Sequence, residues 1–250
     1  MRRGVSRQVT AMFVIAWING VLAVRRVPLW IVSYLLMPLT LLFFLTIYGG
    51  AATMMYALIG GVIMVIAGNG IAILGDAAFY RIYLKYQDLL VATPIRPVSY
   101  IIGLSLSVLV FTIPGLILFI VLMGVIGMLT LWFSIALTLC SILLWTSTSF
   151  MGFAASTLFR RLRHVWPLAT ILSILLSVVP PVYYPVTLLP SEVHWVGALA
   201  PTGAAAIILH YVGGLAHPET SAVTASVISL IGYNVVFILL SLSKMRWREK

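Results

Sequence analysis

The residue types that carry most enzyme chemistry are scarce in this chain of 250 residues, which has one cysteine, four histidines and five carboxylate residues. The histidines form no HExxH pair, and no serine lies in a GxSxG turn. Cys140 stands alone in an apolar run, so it has no partner for an internal disulfide or a metal site. We therefore predict no metal site and no catalytic residue, and we do not expect the chain to be an enzyme.

The chain also lacks the usual sequence motif for nucleotide hydrolysis. A phosphate loop of the form GxxxxGK[ST] is absent, and none of the lysines Lys85, Lys244 and Lys250 is followed by serine or threonine. Any ATP-driven work must therefore take its energy from another polypeptide, and we expect no cofactor in the chain itself.

Two asparagines are the polar residues whose chemistry best suits contact with a small molecule inside an apolar protein. Asn69 lies in the segment AGNGIAILG, and Asn234 lies in the last apolar run. Either can line a pathway, or it can hydrogen-bond to a neighbouring helix. The sequence leaves both roles open.

The elements that must position these residues are membrane helices. Hydrophobic residues make up 62% of the chain and charged residues 8%, too few charges to cover a soluble protein. The net charge of +10 does not indicate nucleic-acid binding, because the basic residues lie in short clusters between the apolar runs and do not form one patch. We predict six transmembrane helices at about 27–48, 54–75, 98–122, 131–158, 165–183 and 221–243.

All fifteen lysines and arginines fall on one side of this arrangement. By the positive-inside rule, both termini and both inner loops are cytoplasmic, in a multi-pass protein of the plasma membrane. Residues 1–26 contain an apolar run of 14 residues after several arginines, which is short for a span. We interpret it as an interfacial helix, with a signal peptide as the alternative, and residues 27–250 as the six-helix domain.

The segment of about 184–216 is apolar but broken by prolines, among them Pro185, Pro190 and Pro201. It predicts two short re-entrant helices on the outer side, with an ordinary outer loop as the alternative.

On the inner side, residues 79–94 show helical periodicity. An apolar face (Phe79, Ile82, Tyr83, Tyr86 and Leu90) opposes a polar face (Arg81, Lys85 and Asp88). Such a helix can rest on the membrane or dock on a cytoplasmic partner.

Three stretches together resemble type-2 ATP-binding cassette (ABC) exporter permeases. The first is QDLLVATPIRPVSYIIG, in which Asp88, Leu89, Leu90, Thr93 and Pro94 match the family pattern. The second is VVPPVYYPVTLLPSEVHWVGALAPTG, with Tyr184-Pro185, Leu189-Pro190 and Pro201 in the matching places, although Ala200 stands where the family often has asparagine. The third, RRVPLWIVSYLLMPLTLLFF, resembles the first span of these proteins.

The resemblance implies an all-α membrane protein with six transmembrane helices, an N-terminal interfacial helix, a cytoplasmic coupling helix between spans 2 and 3 (about 77–94), and extracellular re-entrant helices between spans 5 and 6. It implies a homodimer or heterodimer of permease subunits, and separate ABC ATPase subunits that bind ATP and magnesium. The ATPase contact would comprise Phe79, Ile82, Tyr83, Lys85, Tyr86, Asp88, Leu89, Leu90, Thr93 and Pro94. The outer gate would comprise Tyr184, Pro185, Leu189, Pro190, Trp195 and Pro201.

The cargo implied is amphiphilic, either drug-like or lipid, and it moves outward; a lipid-linked glycan is an alternative. A membrane scaffold that recruits a cytoplasmic partner without transport is the rival from another class. A secondary carrier ranks third, because the predicted spans contain no charged residue in their interior to serve as an ion relay.

Overall fold

The computed structural model describes residues 2–86 and 92–244, with side chains over residues 6–86 and 92–243. Within these ranges the chain is helical and contains no strand. The helices are α1 (Arg2–Ala16), α2 (Leu22–Arg26), α3 (Leu29–Ile82), α4 (Pro97–Ile126), α5 (Leu131–Ser156), α6 (Val165–Val178), α7 (His194–Gly197), α8 (Pro201–Val212) and α9 (Thr220–Lys244). Five helical segments of this described chain are long and apolar enough to cross a membrane, as expected for an all-α, multi-pass membrane protein.

Helix α3 is not one straight rod, because its backbone breaks at Gly50. This residue has φ 73° and ψ −162°, a conformation that glycine adopts far more readily than other residues. A straight helix of 54 residues would reach about 80 Å, whereas the hydrocarbon core of a bilayer is about 30 Å thick. Residues 30–38 and residues 64–72 line the same cavity, so the chain folds back on itself. We call residues 29–49 the first arm of α3 and residues 51–82 the second arm.

Most of the remaining predicted spans correspond to observed helices. Helices α4, α5 and α9 cover nearly the same residues as the third, fourth and sixth predicted spans. The fifth predicted span, 165–183, is wrong at its C-terminal end, because α6 ends at Val178. Pro180 and Pro181 follow almost at once and cannot donate the hydrogen bonds of a continuing helix.

The N-terminal helical segment packs along the beginning of α4. A Cβ placed on Gly103 of α4 would lie 2.8 Å from the Ile15 side chain, and one on Gly20 would lie 2.8 Å from the carbonyl oxygen of Ser107. The segment therefore runs beside α4 in the same direction. It is 21 residues long over Ser6–Arg26 and apolar enough to cross a membrane, so its length alone does not distinguish an interfacial helix from a span.

The second arm of α3 forms the centre of the bundle, where α4, α5, α6 and α8 surround it. Glycines allow these helices to approach one another closely. A Cβ on Gly152 of α5 would lie 2.9 Å from the carbonyl oxygen of Gly70, and one on Gly61 would lie 2.2 Å from the ring of Phe119. This close packing fixes the second arm, which carries Asn69.

Candidate functional site

The loop between α3 and α4 does not form the single helix that the sequence predicts over residues 79–94. Helix α3 continues to Ile82, so Phe79 and Ile82 belong to its last turns. The chain then turns at Tyr83, and Lys85 has a φ of 48°, in the left-handed region that a continuing right-handed helix does not use. This backbone conformation interrupts the predicted helix.

Aromatic contacts explain why the predicted apolar face divides. The Tyr86 ring packs against Tyr80 at 6.1 Å and against Tyr100 of α4 at 6.5 Å, so Tyr86 turns back into the protein. Ile82 packs into a buried cluster with residues of α6. Tyr83 remains outside and is 68% exposed. Periodicity placed these three side chains on one surface, whereas only Tyr83 lies there.

The part of the loop that faces outward is a small mixed surface. We call it the exposed rim, and within the described residues it consists of Tyr83, Leu84, Lys85, Ala92, Thr93 and Pro94. Leu84 is absent from the predicted contact residues, and its exposure follows from the turn at residues 83–85. The predicted contact residues Asp88, Leu89 and Leu90 lie outside the residues that the structure describes.

Two side chains fix the base of the exposed rim. Arg81 donates hydrogen bonds of 2.7 Å to the carbonyl oxygens of Ser156 and Phe159, at the C-terminal end of α5. The sequence predicts Arg81 on a solvent-facing polar helix face, and this prediction is wrong. The side chain binds the carbonyl of Ser156, the last residue of α5, and that of Phe159, three residues later.

Gln8 of α1 makes the second connection. Its Nε2 donates to the carbonyl oxygen of Pro94 at 2.8 Å, and its Oε1 accepts from Arg96 N at 2.9 Å and from Ser99 Oγ at 2.7 Å. One amide thus joins the N-terminal helix to the end of the loop and to the first turn of α4. The sequence offers no signal for this contact between residues so far apart in the chain.

On the opposite end of the bundle, the proline-rich segment forms two helical pieces, as predicted. One piece, Ser191–Gly197, meets the second, Pro201–Val212, at a bend of 118°. Helix α8 is buried along most of its length, with Ala204, Ala205, Ala206 and Ile207 inaccessible to solvent. An ordinary surface loop does not fit this burial.

The predicted gate residues do not form one group. Pro201 is buried at the start of α8, whereas Tyr184, Pro185 and Leu189 are half-buried. Pro190 is exposed on the surface, and so is Trp195, whose indole N–H donates to the carbonyl oxygen of Glu192 at 2.9 Å.

Tyr183, the neighbour of the predicted gate residue Tyr184, is more deeply buried than Tyr184. Its ring is buried against Gly60, where an added Cβ would lie 2.5 Å from it. Its hydroxyl donates to Met64 Sδ at 3.1 Å. The one feature of the sequence that predicts this contact is the spacing of Gly60 and Met64. They are four residues apart, so they lie on one face of α3.

A cavity of about 370 Å³ lies between the two arms of α3 and helix α6. Its walls are mostly apolar and aromatic, and they consist of Trp30, Ser33, Tyr34, Met37, Pro38, Met64, Val65, Gly68, Asn69, Ala72, Trp166, Ala169, Thr170, Ser173 and Ile174. Trp30 and Trp166, both nearly half exposed, lie at the end that Ala72 lines, and Met37 and Ile174 farther along the walls are exposed as well. Met64 lies at the other end, where its sulfur accepts the hydrogen bond from Tyr183. The volume falls in the range of ligand pockets, about 300–1000 Å³.

The two asparagines singled out by the sequence have different environments. Asn234 donates to the carbonyl oxygens of Leu143 and Leu230, each at 2.9 Å, and accepts from Thr146 Oγ1. It therefore links α9 to α5. Asn69 lines the cavity and is 2% exposed, yet neither its Oδ1 nor its Nδ2 has a hydrogen-bond partner among the described residues.

A larger groove of about 570 Å³ lies between the beginning of α5 and the end of α8. Its walls include Trp132, Tyr211 and His217, all of them exposed. In the described part of the chain, no group of three or more histidine, cysteine or acidic side chains is placed to hold a metal ion. The smaller cavity is the better candidate site, because it contains a buried side chain that requires a partner.

Comparison with known proteins does not identify the chain. No model of a known protein family matches its sequence, and no curated protein matches it either.

Proposed function

We propose that this protein is the membrane-spanning permease subunit of an ABC exporter. It moves an amphiphilic substrate, drug-like or lipid, outward, and a separate ATPase subunit supplies the energy. The observation that carries the proposal is the cavity inside the helical bundle, which is walled by apolar side chains and contains the unpartnered amide of Asn69. A cavity of this kind suits a molecule that is mostly apolar and carries a polar group.

The proposal includes a topology of six spans, formed by the two arms of α3 and by α4, α5, α6 and α9. The basic residues Arg81, Arg96 and Arg160 lie at the ends of α3, α4 and α5 that meet. The positive-inside rule assigns this end to the cytoplasm, together with both termini, in the plasma membrane. Gly50 and α8 then lie toward the outer face, where α7 and α8 enter the membrane and return. The N-terminal helix lies beside α4 at the cytoplasmic interface.

The orientation of the cavity supports export. One end lies beside Ala72, on the part of α3 that leads to Arg81, and the other lies at Met64, toward Gly50. In the proposed topology, the first end faces the cytoplasmic side, and Tyr183, packed on Gly60 and bonded to Met64, lies between the cavity and the outer face. A substrate would enter from inside while this contact holds.

The exposed rim is the proposed contact with the ATPase. It combines an aromatic ring, an aliphatic side chain and a cation at the tip of a loop that α1 and α5 both brace. A braced loop transmits a displacement better than a loose one, because it moves as a unit with the helices attached to it. A second permease subunit, identical or related, completes the assembly.

The test is isolation of the tagged chain from its native membrane in mild detergent, followed by measurement of vanadate-sensitive ATP hydrolysis. We expect an ATPase to co-elute with the chain. The variants Tyr83→Ala and Lys85→Glu should each retain about a tenth of it or less, as for residues at the centre of an interface. Leu188→Ala is the control, because this side chain is also highly exposed but lies in the opposite end segment.

If no ATPase co-elutes with the wild-type chain, the exporter proposal fails. A scaffold that only recruits a partner would also lose binding in the rim variants. It would not, however, show ATP hydrolysis that responds to a substitution in the cavity, such as Asn69→Leu. Comparison of the rim and cavity variants therefore separates the two functions.

A further inference from the structure

We propose that the cavity between the arms of α3 and α6 binds a neutral ligand whose polar group both donates and accepts a hydrogen bond, as a carboxamide does, and that Asn69 pairs with this group. As a statement about the exported substrate, the inference rests on the proposed function. As a statement about binding, it stands on the cavity alone.

The first step is the environment of Asn69. Its carboxamide offers an acceptor at Oδ1 and two donors at Nδ2, and neither atom has a partner within the described chain. Burial of an unpaired amide is costly, so such a group is retained where a partner arrives from outside. A ligand that both donates and accepts satisfies both ends of the amide at once.

The second step concerns the hydroxyl groups on the cavity wall, of which two are already engaged. Ser33 donates to the carbonyl oxygen of Trp30 at 2.8 Å, and Thr170 donates to that of Trp166 at 3.1 Å. Tyr34 and Ser173 also line the cavity, but both are half-buried, whereas Asn69 is 2% exposed. Asn69 is therefore the most deeply buried polar side chain on the wall, and its amide offers both an acceptor and donors to a ligand.

The third step concerns charge. None of the residues described as lining the cavity is acidic or basic, but Asp76, one turn after Ala72 on α3, is close enough to act electrostatically on the lining residue Tyr34. An anionic ligand would therefore lose its hydration without gaining an oppositely charged partner. Trp30, Tyr34 and Trp166 present aromatic rings near the entrance, which favour a flat or cyclic apolar body. These rings and Asp76 can also attract a cation, so a cationic ligand is the competing possibility that an experiment must address.

The experiment uses the purified full-length chain in detergent and three nitroxide probes with the same ring. They are 4-carbamoyl-TEMPO, which carries a neutral carboxamide, unsubstituted TEMPO, and the 4-trimethylammonium derivative, which is cationic. Electron paramagnetic resonance measures the immobilised fraction of each probe at increasing concentration. We expect the carbamoyl probe to bind about tenfold more tightly than the other two, because a site built to form hydrogen bonds rejects analogues that lack them.

The variant Asn69→Leu keeps the side-chain size and removes both hydrogen-bonding atoms. We expect it to abolish the preference for the carbamoyl probe and to leave the binding of TEMPO unchanged. Thr138→Val on α5, outside the cavity, is the control, since its hydroxyl also bonds within its own helix, to the carbonyl oxygen of Ser134 at 2.8 Å, and it should keep the wild-type preference. The comparison of the three probes on the wild-type protein does not depend on any variant folding.

Equal binding of all three probes, tighter binding of the cationic probe, or an unchanged preference in Asn69→Leu would each overturn the inference. The result is independent of the ATPase experiment. Selective binding without a co-eluting ATPase would refute the exporter proposal but support the proposed binding site. A co-eluting ATPase without selective binding would support the exporter proposal but refute the proposed binding site.

Discussion

At the scale of single residues, the buried polar side chains are of two kinds. Asn234, Thr148 and Ser226 hydrogen-bond to carbonyl oxygens of helices, which is how a polar group is accommodated in an apolar bundle. Asn69 and His210 are also buried, but their polar side-chain atoms have no partner in the described chain. The first kind stabilises the fold, whereas a buried amide without a partner, such as Asn69, is expected to lower its stability.

This difference predicts opposite effects for two identical substitutions. Asn69→Leu should raise the free energy of unfolding by about 1–3 kcal/mol, because it removes a buried amide that lacks a partner. Asn234→Leu should lower it by about 1–3 kcal/mol, since it breaks the hydrogen bonds to Leu143, Leu230 and Thr146. Thermal unfolding of the ligand-free protein in detergent measures both. A loss of stability in Asn69→Leu would show that the amide has a structural role.

A second prediction at this scale concerns the contact that closes the cavity. In Gly60→Ala the new methyl group would lie 2.5 Å from the Tyr183 ring, so the ring must move. We expect a loss of about 1–3 kcal/mol, as for other overpacked cores, together with faster access of the 4-carbamoyl-TEMPO probe to the cavity. Gly232→Ala is the control, because a Cβ at Gly232 meets no atom within 4 Å, and it should be neutral or stabilising.

The double variant Gly60→Ala with Tyr183→Leu tests the assignment. If the two side chains interact directly, removal of the ring should relieve the clash, and the double variant should lose less stability than the sum of the two single losses. Strict additivity would mean that Tyr183 does not close the cavity at Gly60.

At the scale of elements, the sequence predicts helices well and their ends less well. Apolar runs, helix-breaking prolines and the break between two spans were all visible in the residue pattern, and α4, α5 and α9 are where the pattern placed them. The loop after α3 was mispredicted, because Phe79, Ile82, Tyr83 and Tyr86 have helical spacing whether or not the backbone stays helical. The contact of the Tyr86 ring with Tyr100 depends on α4, so it is a tertiary contact that local periodicity does not contain.

The same limitation applies to the candidate site. The sequence singles out Asn69 because asparagine is rare among apolar residues, but the cavity around it requires the two arms of α3 to meet α6. It does not single out Tyr183, because the proline pattern favours the neighbouring Tyr184, which precedes Pro185. The non-helical chain after Val178, which carries Tyr183 to Gly60, could not be inferred from the sequence of α6.

The link between α1 and the loop gives a prediction at the element scale. Gln8→Met keeps the length of the side chain and removes its three hydrogen bonds to Pro94, Arg96 and Ser99. The Arg96 N–H should then exchange with deuterium about fivefold faster, which corresponds to about 1 kcal/mol for a lost hydrogen bond. Thr10→Val is the control, because the Thr10 hydroxyl bonds within its own helix, to the carbonyl oxygen of Ser6. Equal exchange in both variants would mean that α1 does not hold the loop.

At the scale of the whole molecule, two of the proposed spans are longer than a bilayer requires, whereas α6, with 14 residues, is about 21 Å long and shorter than the hydrocarbon core. Helix α4 has 30 residues, about 45 Å, and the second arm of α3 is slightly longer, whereas the hydrocarbon core is about 30 Å. The excess suits the end that carries Arg81 and Arg96, because the charged residues lie there and α1 packs beside it. The exposed rim would then stand clear of the membrane surface, within reach of a cytoplasmic partner.

The six-span topology requires that α7 and α8 return to the face of the membrane from which they start. Labelling of introduced cysteines tests this. The background is Cys140→Ala, and single cysteines replace Ser191, His217 and Lys85, all of which are exposed in the structure. Intact cells are treated with a membrane-impermeant maleimide before and after permeabilisation. If α7 and α8 enter the membrane and return, Ser191→Cys and His217→Cys both react in intact cells, whereas Lys85→Cys reacts only after permeabilisation. If the bent pair instead forms one broken span, Ser191→Cys and His217→Cys lie on opposite faces, and only one of them reacts in intact cells. That outcome would refute the six-span topology, because α9 would then have to return the chain from the other face of the membrane.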